Sequence, residues 1–371
     1  MPSRSRFSTS VVALALALGV SAVLLAVSGH DPVAAFVALV TGAVGSDTRL
    51  GETLVNTVPL VLTGLAVAVG FRAGLFNIGV EGQLLMGAVV VAAAAPAMAG
   101  LGVLSIPLLF AIGAVAGGLW AFVPGYLKAR LGANEVITSL MMSYIAFYLV
   151  EYLIVGPLKA PGVLPATALI PDDTRLPRLG VLVSGIASFA GLPADLVEPD
   201  LLGRLHLGVF VALLVAPVTS WLIWRTVPGF AMRALGLSVE AATYGGVRVQ
   251  RAIVLTMLLS GAIAGMAGAI QVLGVNYRMS SSFSPGFGFT GIAVALLGNL
   301  SAAGVILAAA LFGSLQTGGQ VMQRTAGIPS SIVTIIQGLV IFFVAVQLRV
   351  PRSYLLMWAG SVRSRLGRWR S

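Results

Sequence analysis

The chain has no cysteine, two histidines and two lysines among its 371 residues, and only 9% of it is charged. Without cysteine there is no disulfide, no thiolate metal site and no cysteine nucleophile. His30 and His206 alone fall short of the three or four ligands of a zinc site. Both are expected near the ends of apolar segments, in structural or solvated roles. Neither Lys128 nor Lys159 follows glycine in a Gly-rich loop, so there is no Walker A pattern to cradle ATP phosphates. No Ser/His/Asp or metal-ligand cluster is present, and enzymatic chemistry is not expected. A soluble domain has about a quarter of its residues charged. At 9% this chain has little room for one.

What is abundant is apolar sequence: 58% of residues are hydrophobic and the mean hydropathy is +1.01. A hydrocarbon core needs about 20 apolar residues per helix. Candidate spans are 11–28, 53–71, 80–99, 105–125, 135–155, 206–225, 252–272, 287–301, 303–319 and 331–348. The expected fold is therefore an all-α polytopic membrane protein with about ten transmembrane helices, some broken or re-entrant, and both termini cytoplasmic. Arg4 and Arg6 before the first apolar run suit an uncleaved first span rather than a signal peptide. In this topology 15 of the 22 Lys and Arg residues lie inside, as the positive-inside rule requires. The net charge of +10 is thus assigned to span flanks and not to nucleic-acid binding. The basic tail 349–371, with six arginines, Trp358 and Trp369, fits either an interfacial segment on an anionic leaflet or a disordered tail. The Pro- and Asp-rich stretch 156–205 is expected as an external loop, and 226–251 as a cytoplasmic one.

Five polar or glycine-rich features interrupt this pattern. Residues 71–87, FRAGLFNIGVEGQLLMG, set Asn77, Glu81 and Gln83 among glycines between apolar runs. Bare backbone and a carboxylate survive at membrane depth only when buried in protein or lining a wet cavity. Glu52, Glu81, Glu135 and Glu151 lie in or at the ends of spans. Glu135, close after Lys128 and Arg130, suits the first turn of a helix as well as a proton relay. In the 226–251 loop Ser238 can cap a short helix with Glu240 in its first turn, and Gly245 and Gly246 can end it. Residues 283–298 place aromatics on Gly- and Pro-rich backbone at a span entrance, consistent with solute stacking or with an interfacial aromatic belt. Gly113 and Gly117, and Gly261, Gly265 and Gly268, have the small-residue spacing of close helix packing in lipid.

Three stretches taken together, GLFNIGVEGQ (74–83), GANEVI (132–137) and GFGFTGIAVALLG (286–298), resemble the permease subunits of bacterial ABC importers. The branch is the one serving ribose, branched-chain amino acid and nucleoside uptake, and the likeness is greatest to the nucleoside and simple-sugar permeases. The loop MRALGLSVEAATYGGV (232–247) is similar to the family's coupling loop, with Gly245-Gly246-Val247 where Ala-Gly-Ile is usual. The resemblance implies a single transmembrane permease domain over 1–371 that binds no cofactor of its own. Its partners would be cytoplasmic ATPase subunits that hold the ATP, a second permease subunit (alike or different), an extracellular solute-binding lipoprotein and the bilayer of the bacterial cytoplasmic membrane. On this reading Asn77, Glu81, Gln83, Asn134 and Phe287 are candidates for the solute pathway. Arg233, Gly236, Glu240, Ala241, Ala242 and Gly245 are candidates for ATPase coupling. The competing expectation is an ion-coupled secondary transporter or channel that uses Glu81 and Glu135.

Overall fold

A computed structural model describes residues 3–189, 202–329 and 331–347. The basic tail and residues 190–201 of the expected external loop lie outside the described residues. Among those described, every regular element is helical, and there are two isolated β-bridges. In chain order the helices are α1 (Ser3–Val27), α2 (Pro32–Val44), α3 (Asp47–Arg72), α4 (Val80–Ala94) and α5 (Ser105–Leu131). Then come α6 (Glu135–Val155), α7 (Leu179–Phe189), α8 (Gly208–Arg225), α9 (Val227–Leu237) and α10 (Val239–Tyr244). α11 (Val249–Ile270), α12 (Phe287–Leu297), α13 (Ala302–Ala326) and α14 (Ser331–Gln347) complete the order.

Among the described residues seven helices are long and apolar enough to cross a membrane, and they coincide with seven of the ten expected spans. Three differences have physical causes. α12 has 11 residues, about 16 Å at 1.5 Å per residue, roughly half a hydrocarbon core. It stops at Gly298, after which Asn299 and Leu300 both take positive φ and turn the chain into α13. The expected span 287–301 is therefore a half-length helix. α2 and α7 are apolar helices too short for a span template, α7 forming an apolar patch within the stretch expected as an external loop.

The chain groups into two compact units, Met1–Phe36 with Ala326–Ser371 and Val37–Thr325. In the first, α1 packs against α14. His30 follows α1 and is half-buried, with Nδ1 3.2 Å from Ser28 Oγ.

The second unit is built around α3, which is buried along most of its length against α11, α12 and α8. Local chemistry starts it where it starts. Ser46 accepts a hydrogen bond from Arg49 N–H at 3.3 Å, Asp47 sits in the first turn and Arg72 in the last, each on the side the helix dipole favours. The closest helix packing joins α4, α5 and α11, and the glycines expected as packing residues form that seam. A Cβ on Gly265 would meet the Gly113 carbonyl oxygen, one on Gly117 the Gly261 carbonyl oxygen, and one on Gly87 would lie 2.5 Å from Gly265 Cα. Only glycine lets these backbones approach.

α11 ends in a π-helical turn, Gln271–Asn276, closed by Tyr277 in the left-handed region. The described part of the 156–205 stretch is stitched to this end of α11. Leu176 N–H donates to Leu273 O at 2.8 Å, Ile170 N–H to Tyr277 O at 2.8 Å and Thr167 N–H to Met279 O at 2.9 Å. Arg175 lies 4.7 Å over the Tyr277 ring. Behind this strap His206 is fully buried: its Nδ1 accepts from Gly208 N–H at 3.0 Å, and a Cβ on Gly274 would come 2.6 Å from its ring.

Candidate functional site

The re-entrant segment between α3 and α4 solves its backbone problem with side chains. Gly74, at φ 72°, turns the chain back after α3, and residues 75–79 run without helix to the start of α4. Asn77 is fully buried and organises the turn. Its Nδ2 donates to Gln83 Oε1 at 3.0 Å and to Ser260 Oγ at 2.9 Å. Its Oδ1 accepts from Gly79 N–H and from Gln83 Nε2, each at 3.0 Å. Ser260 Oγ in turn donates to Ala66 O at 2.6 Å. Two serines one turn apart on α6 take two further amides: Ile78 N–H donates to Ser139 Oγ at 3.1 Å and Gly82 N–H to Ser143 Oγ at 3.3 Å. The segment is thus tied to α3, α6 and α11 by side-chain hydrogen bonds within the protein.

Glu81 links this segment to the half-helix. α12 starts at Gly286, in the left-handed region, without a side-chain cap from its own N-cap residue. Its amides are met from outside: Ser284 Oγ accepts from Gly286 and Phe287 N–H at 3.2 and 3.3 Å, and Glu81 Oε2 accepts from Gly288 N–H at 2.6 Å. A carboxylate at a helix N-terminus is favoured by the dipole and by a charge-assisted hydrogen bond. The approach requires glycine at 288, where a Cβ would lie 2.5 Å from Glu81 Cα. On the other side Thr63 Oγ1 donates to Phe287 O at 3.1 Å and joins α12 to α3.

Beside this junction is a cavity of about 290 Å³. α4 supplies Glu81 and Leu85 to its wall, and α6 supplies Ser143, Tyr144, Phe147, Tyr148 and Glu151. The segment leading into α12 adds Ser281, Phe283 and Ser284, among others, and the first turn of α12 adds Phe289. Phe147 and Tyr148 meet edge to face, with ring centroids 5.5 Å apart. Glu151 Oε1 accepts from Ser281 Oγ at 2.9 Å and fastens α6 to the segment before α12. Such a wall offers aromatic faces to a flat ring and carboxylate and hydroxyl oxygens to a polar solute.

Of the residues expected on a pathway, Glu81 lines this cavity, while Asn77 and Gln83 pair with each other behind it. Phe287 is buried beside the lining residues Gly286 and Phe289. Asn134 caps α6, its Oδ1 accepting from Val136 N–H at 2.9 Å, and is not among the lining residues. Glu135 follows it in the first turn of α6 and pairs with Lys128 at 2.9 Å. The contribution of α6 went unread, although Ser139/Ser143, Tyr144/Tyr148 and Phe147/Glu151 recur at spacing four, one helical face, inside an otherwise apolar span.

A second polar cluster surrounds α9 and α10. Arg233 donates to Ile223 O and lies 4.9 Å over the Trp224 ring, and Arg72 lies 5.3 Å over the same ring. Gly236 rests on the end of α3: a Cβ there would strike Arg72 O, and Gly236 Cα lies 3.3 Å from where a Cβ on Gly74 would be. α9 therefore packs directly on the turn that opens the re-entrant segment. Ser238 caps α10 as expected, accepting from Ala241 N–H at 3.1 Å and donating to Glu240 Oε2 at 2.9 Å. That bond holds the exposed Glu240 carboxyl below its ordinary pKa. Ala242 points inward and is buried, leaving Ala241 and Tyr244 exposed. Gly245 ends α10 with its N–H on Ala241 O at 2.9 Å. Leu237 and Tyr244 are 89% and 95% exposed, an apolar surface that none of the described residues covers.

The family described as branched-chain amino acid transport system / permease component matches residues 49–345. The chain is 39% identical to the guanosine ABC transporter permease protein NupP of Bacillus subtilis, over 92% of this chain and 93% of that one. It is 37% identical to the glucose ABC transporter permease protein TsgB13 of Haloferax volcanii, over 92% and 88%. It is 34% identical to the nucleoside ABC transporter permease protein NupB of Lactococcus lactis, over 91% and 90%. No solved structure matches.

Proposed function

The chain belongs to the family of permease components of branched-chain amino acid transport systems, and from that premise we propose that it is the membrane-spanning subunit of an ABC importer for a nucleoside. The observation that carries this reading is the cavity, whose wall combines Tyr144, Phe147, Tyr148 and Phe289 with Glu81, Glu151 and serine hydroxyls. A nucleoside presents a flat base to stack on rings and a sugar whose hydroxyls donate to carboxylates. Relatives named for guanosine and for nucleosides support it. A relative named for glucose keeps a simple sugar as the second reading, since a sugar would use the same oxygens.

In this mechanism Glu81 lines the solute path and Asn77 and Gln83 hold it in place. Asn134 and Phe287 position α6 and α12. ATPase subunits carry the ATP and dock on the exposed face of α9 and α10, with Glu240, Ala241 and Tyr244 in contact. Arg233, Gly236, Ala242 and Gly245 keep that face in register. A push on α10 passes through the Gly236–Gly74 contact into the re-entrant segment, and through Glu81 to the start of α12. A second permease subunit and a solute-binding lipoprotein complete the assembly in the bacterial cytoplasmic membrane, with both termini cytoplasmic.

The test is uptake into proteoliposomes holding the permease, its ATPase and its binding protein, with and without internal ATP. ATP-dependent accumulation of radiolabelled guanosine or another nucleoside is expected. Accumulation of glucose but no nucleoside would select the second reading, and accumulation driven by an ion gradient alone would overturn both.

A further inference from the structure

We infer that Glu151 is a specificity-determining residue, whose carboxylate accepts hydrogen bonds from the vicinal ribose hydroxyls of an unphosphorylated nucleoside. The inference rests on the nucleoside reading above and adds to it which part of the solute the permease inspects. Glu151 lies three and four residues after Tyr148 and Phe147 on α6, so the carboxylate and the two rings share one helical face on the cavity. A base stacked on the face of Phe147 puts its sugar about one helical turn away, at Glu151.

The carboxylate is prepared for this role. Ser281 donates to Oε1 at 2.9 Å and fixes its orientation. Among the described residues no other group bonds to it, so Oε2 and a further lone pair on Oε1 are left to accept from a solute in the cavity that Glu151 lines. An ionised carboxylate only accepts, and its oxygens together take two hydroxyl donors. Glu81, by contrast, has Oε2 committed to Gly288 at the start of α12.

The same geometry rejects phosphorylated solutes. Among the described lining residues there are two carboxylates and no Lys, Arg or His. A phosphate monoester carries about −1.5 to −2 charges near neutral pH, and here it would face like charge without a counter-ion. The cavity is suited to the free nucleoside and unsuited to the nucleotide.

The experiment compares ATP-dependent uptake of guanosine, 2′,3′-dideoxyguanosine and guanosine monophosphate in proteoliposomes with one binding protein throughout. Any change of ratio between permease variants then belongs to the permease. The wild type is expected to prefer guanosine over the dideoxy analogue by about tenfold or more, the range of a hydrogen bond to a charged group. It is expected to leave the monophosphate outside. Glu151→Gln should compress the guanosine preference to within about threefold by lowering guanosine uptake, with dideoxyguanosine uptake held, and Ser281→Ala should compress it partway. Equal loss for both solutes, or an unchanged ratio, in Glu151→Gln overturns the inference and leaves the nucleoside reading standing. So does monophosphate uptake near the guanosine rate. Failure of the wild type to accumulate any nucleoside overturns the nucleoside reading itself. Should Glu151→Gln not co-purify with the ATPase, the Ser281→Ala ratio decides, and no compression there overturns the inference.

Discussion

Asn77 and Glu151 are both polar side chains within a predominantly apolar bundle, and the regions around them use polarity in opposite ways. At Asn77 the side-chain amide is closed by partners inside the chain: Gln83, Ser260 and Gly79 take up its donors and acceptors, and the residue has no exposed surface. At Glu151 one oxygen is held by Ser281 and the carboxylate opens on a cavity. The first arrangement stabilises a backbone that would otherwise be bare at membrane depth. The second leaves acceptors for a ligand. A polar residue in a span is therefore read by counting its partners and not by its presence. Glu81 stands between the two, bonded to Gly288 and also lining the cavity.

Three substitutions or conditions break or sharpen this contrast, in order of expected effect. Asn77→Ala should be the most damaging. It leaves the Gln83 amide and Gly79 N–H without partners, at ~2 kcal/mol for each group stranded, so about 4 kcal/mol in all. The check is the thermal melting point of the purified permease in detergent. A variant that melts with the wild type and yet transports poorly would move Asn77 from scaffold to solute contact.

His206 is the next case, a buried polar group incompletely paired and not among the residues lining the cavity. Its Nδ1 is bonded but its Nε2 finds no hydrogen-bond partner among the described residues. Burial, and then the nearby Arg204 charge, push its pKa down to about 4. Because the folded value lies below the unfolded one, the unfolded chain binds the extra proton first as pH falls. Stability is full above about pH 6.5 and is lost progressively down to about pH 4. At 1.36 kcal/mol per pH unit the loss amounts to ~3 kcal/mol. Melting curves between pH 7.5 and 4 should show the decline, and His206→Gln should flatten it. An equal slope in that variant would assign the acid sensitivity to other groups.

Glu240→Arg should have the smallest effect on the fold and a selective effect on function. The side chain is exposed at the start of α10, so stability should hold while ATPase co-purification and uptake fall by about tenfold, as reversal of a rim charge does. Unchanged association would remove α10 from the docking surface.

The helical class and seven of the spans were legible because hydropathy and length are local properties, and lipid permits few alternatives to a helix. The glycine seam of α5 and α11 was legible too, since small residues at spacing four have one main use in lipid. The Ser238 cap was read correctly for the same local reason. What resisted was length and direction. α12 is apolar enough for a span but stops at Gly298 after 11 residues, and α2 is helical though too short for any span template. Ala242 is adjacent in sequence to the exposed Ala241 and yet turns inward, because the orientation of the six-residue α10 is set by the α9 and α11 it packs on.

The sequence by itself determined that this is a helical membrane protein with a polar break at 74–83 and that it has the motifs of a permease. Composition, periodicity and short motifs act within a few residues of one another, and they survive any arrangement of the helices. Only the tertiary structure decided which polar residues face each other. Asn77 meets Ser260 across 183 positions, Glu81 meets Gly288 across 207 and Glu151 meets Ser281 across 130. Whether a side chain is closed by a partner or left open to a solute depends on those distant pairings. They arise only when packing of the glycine-lined helices brings the separated segments together.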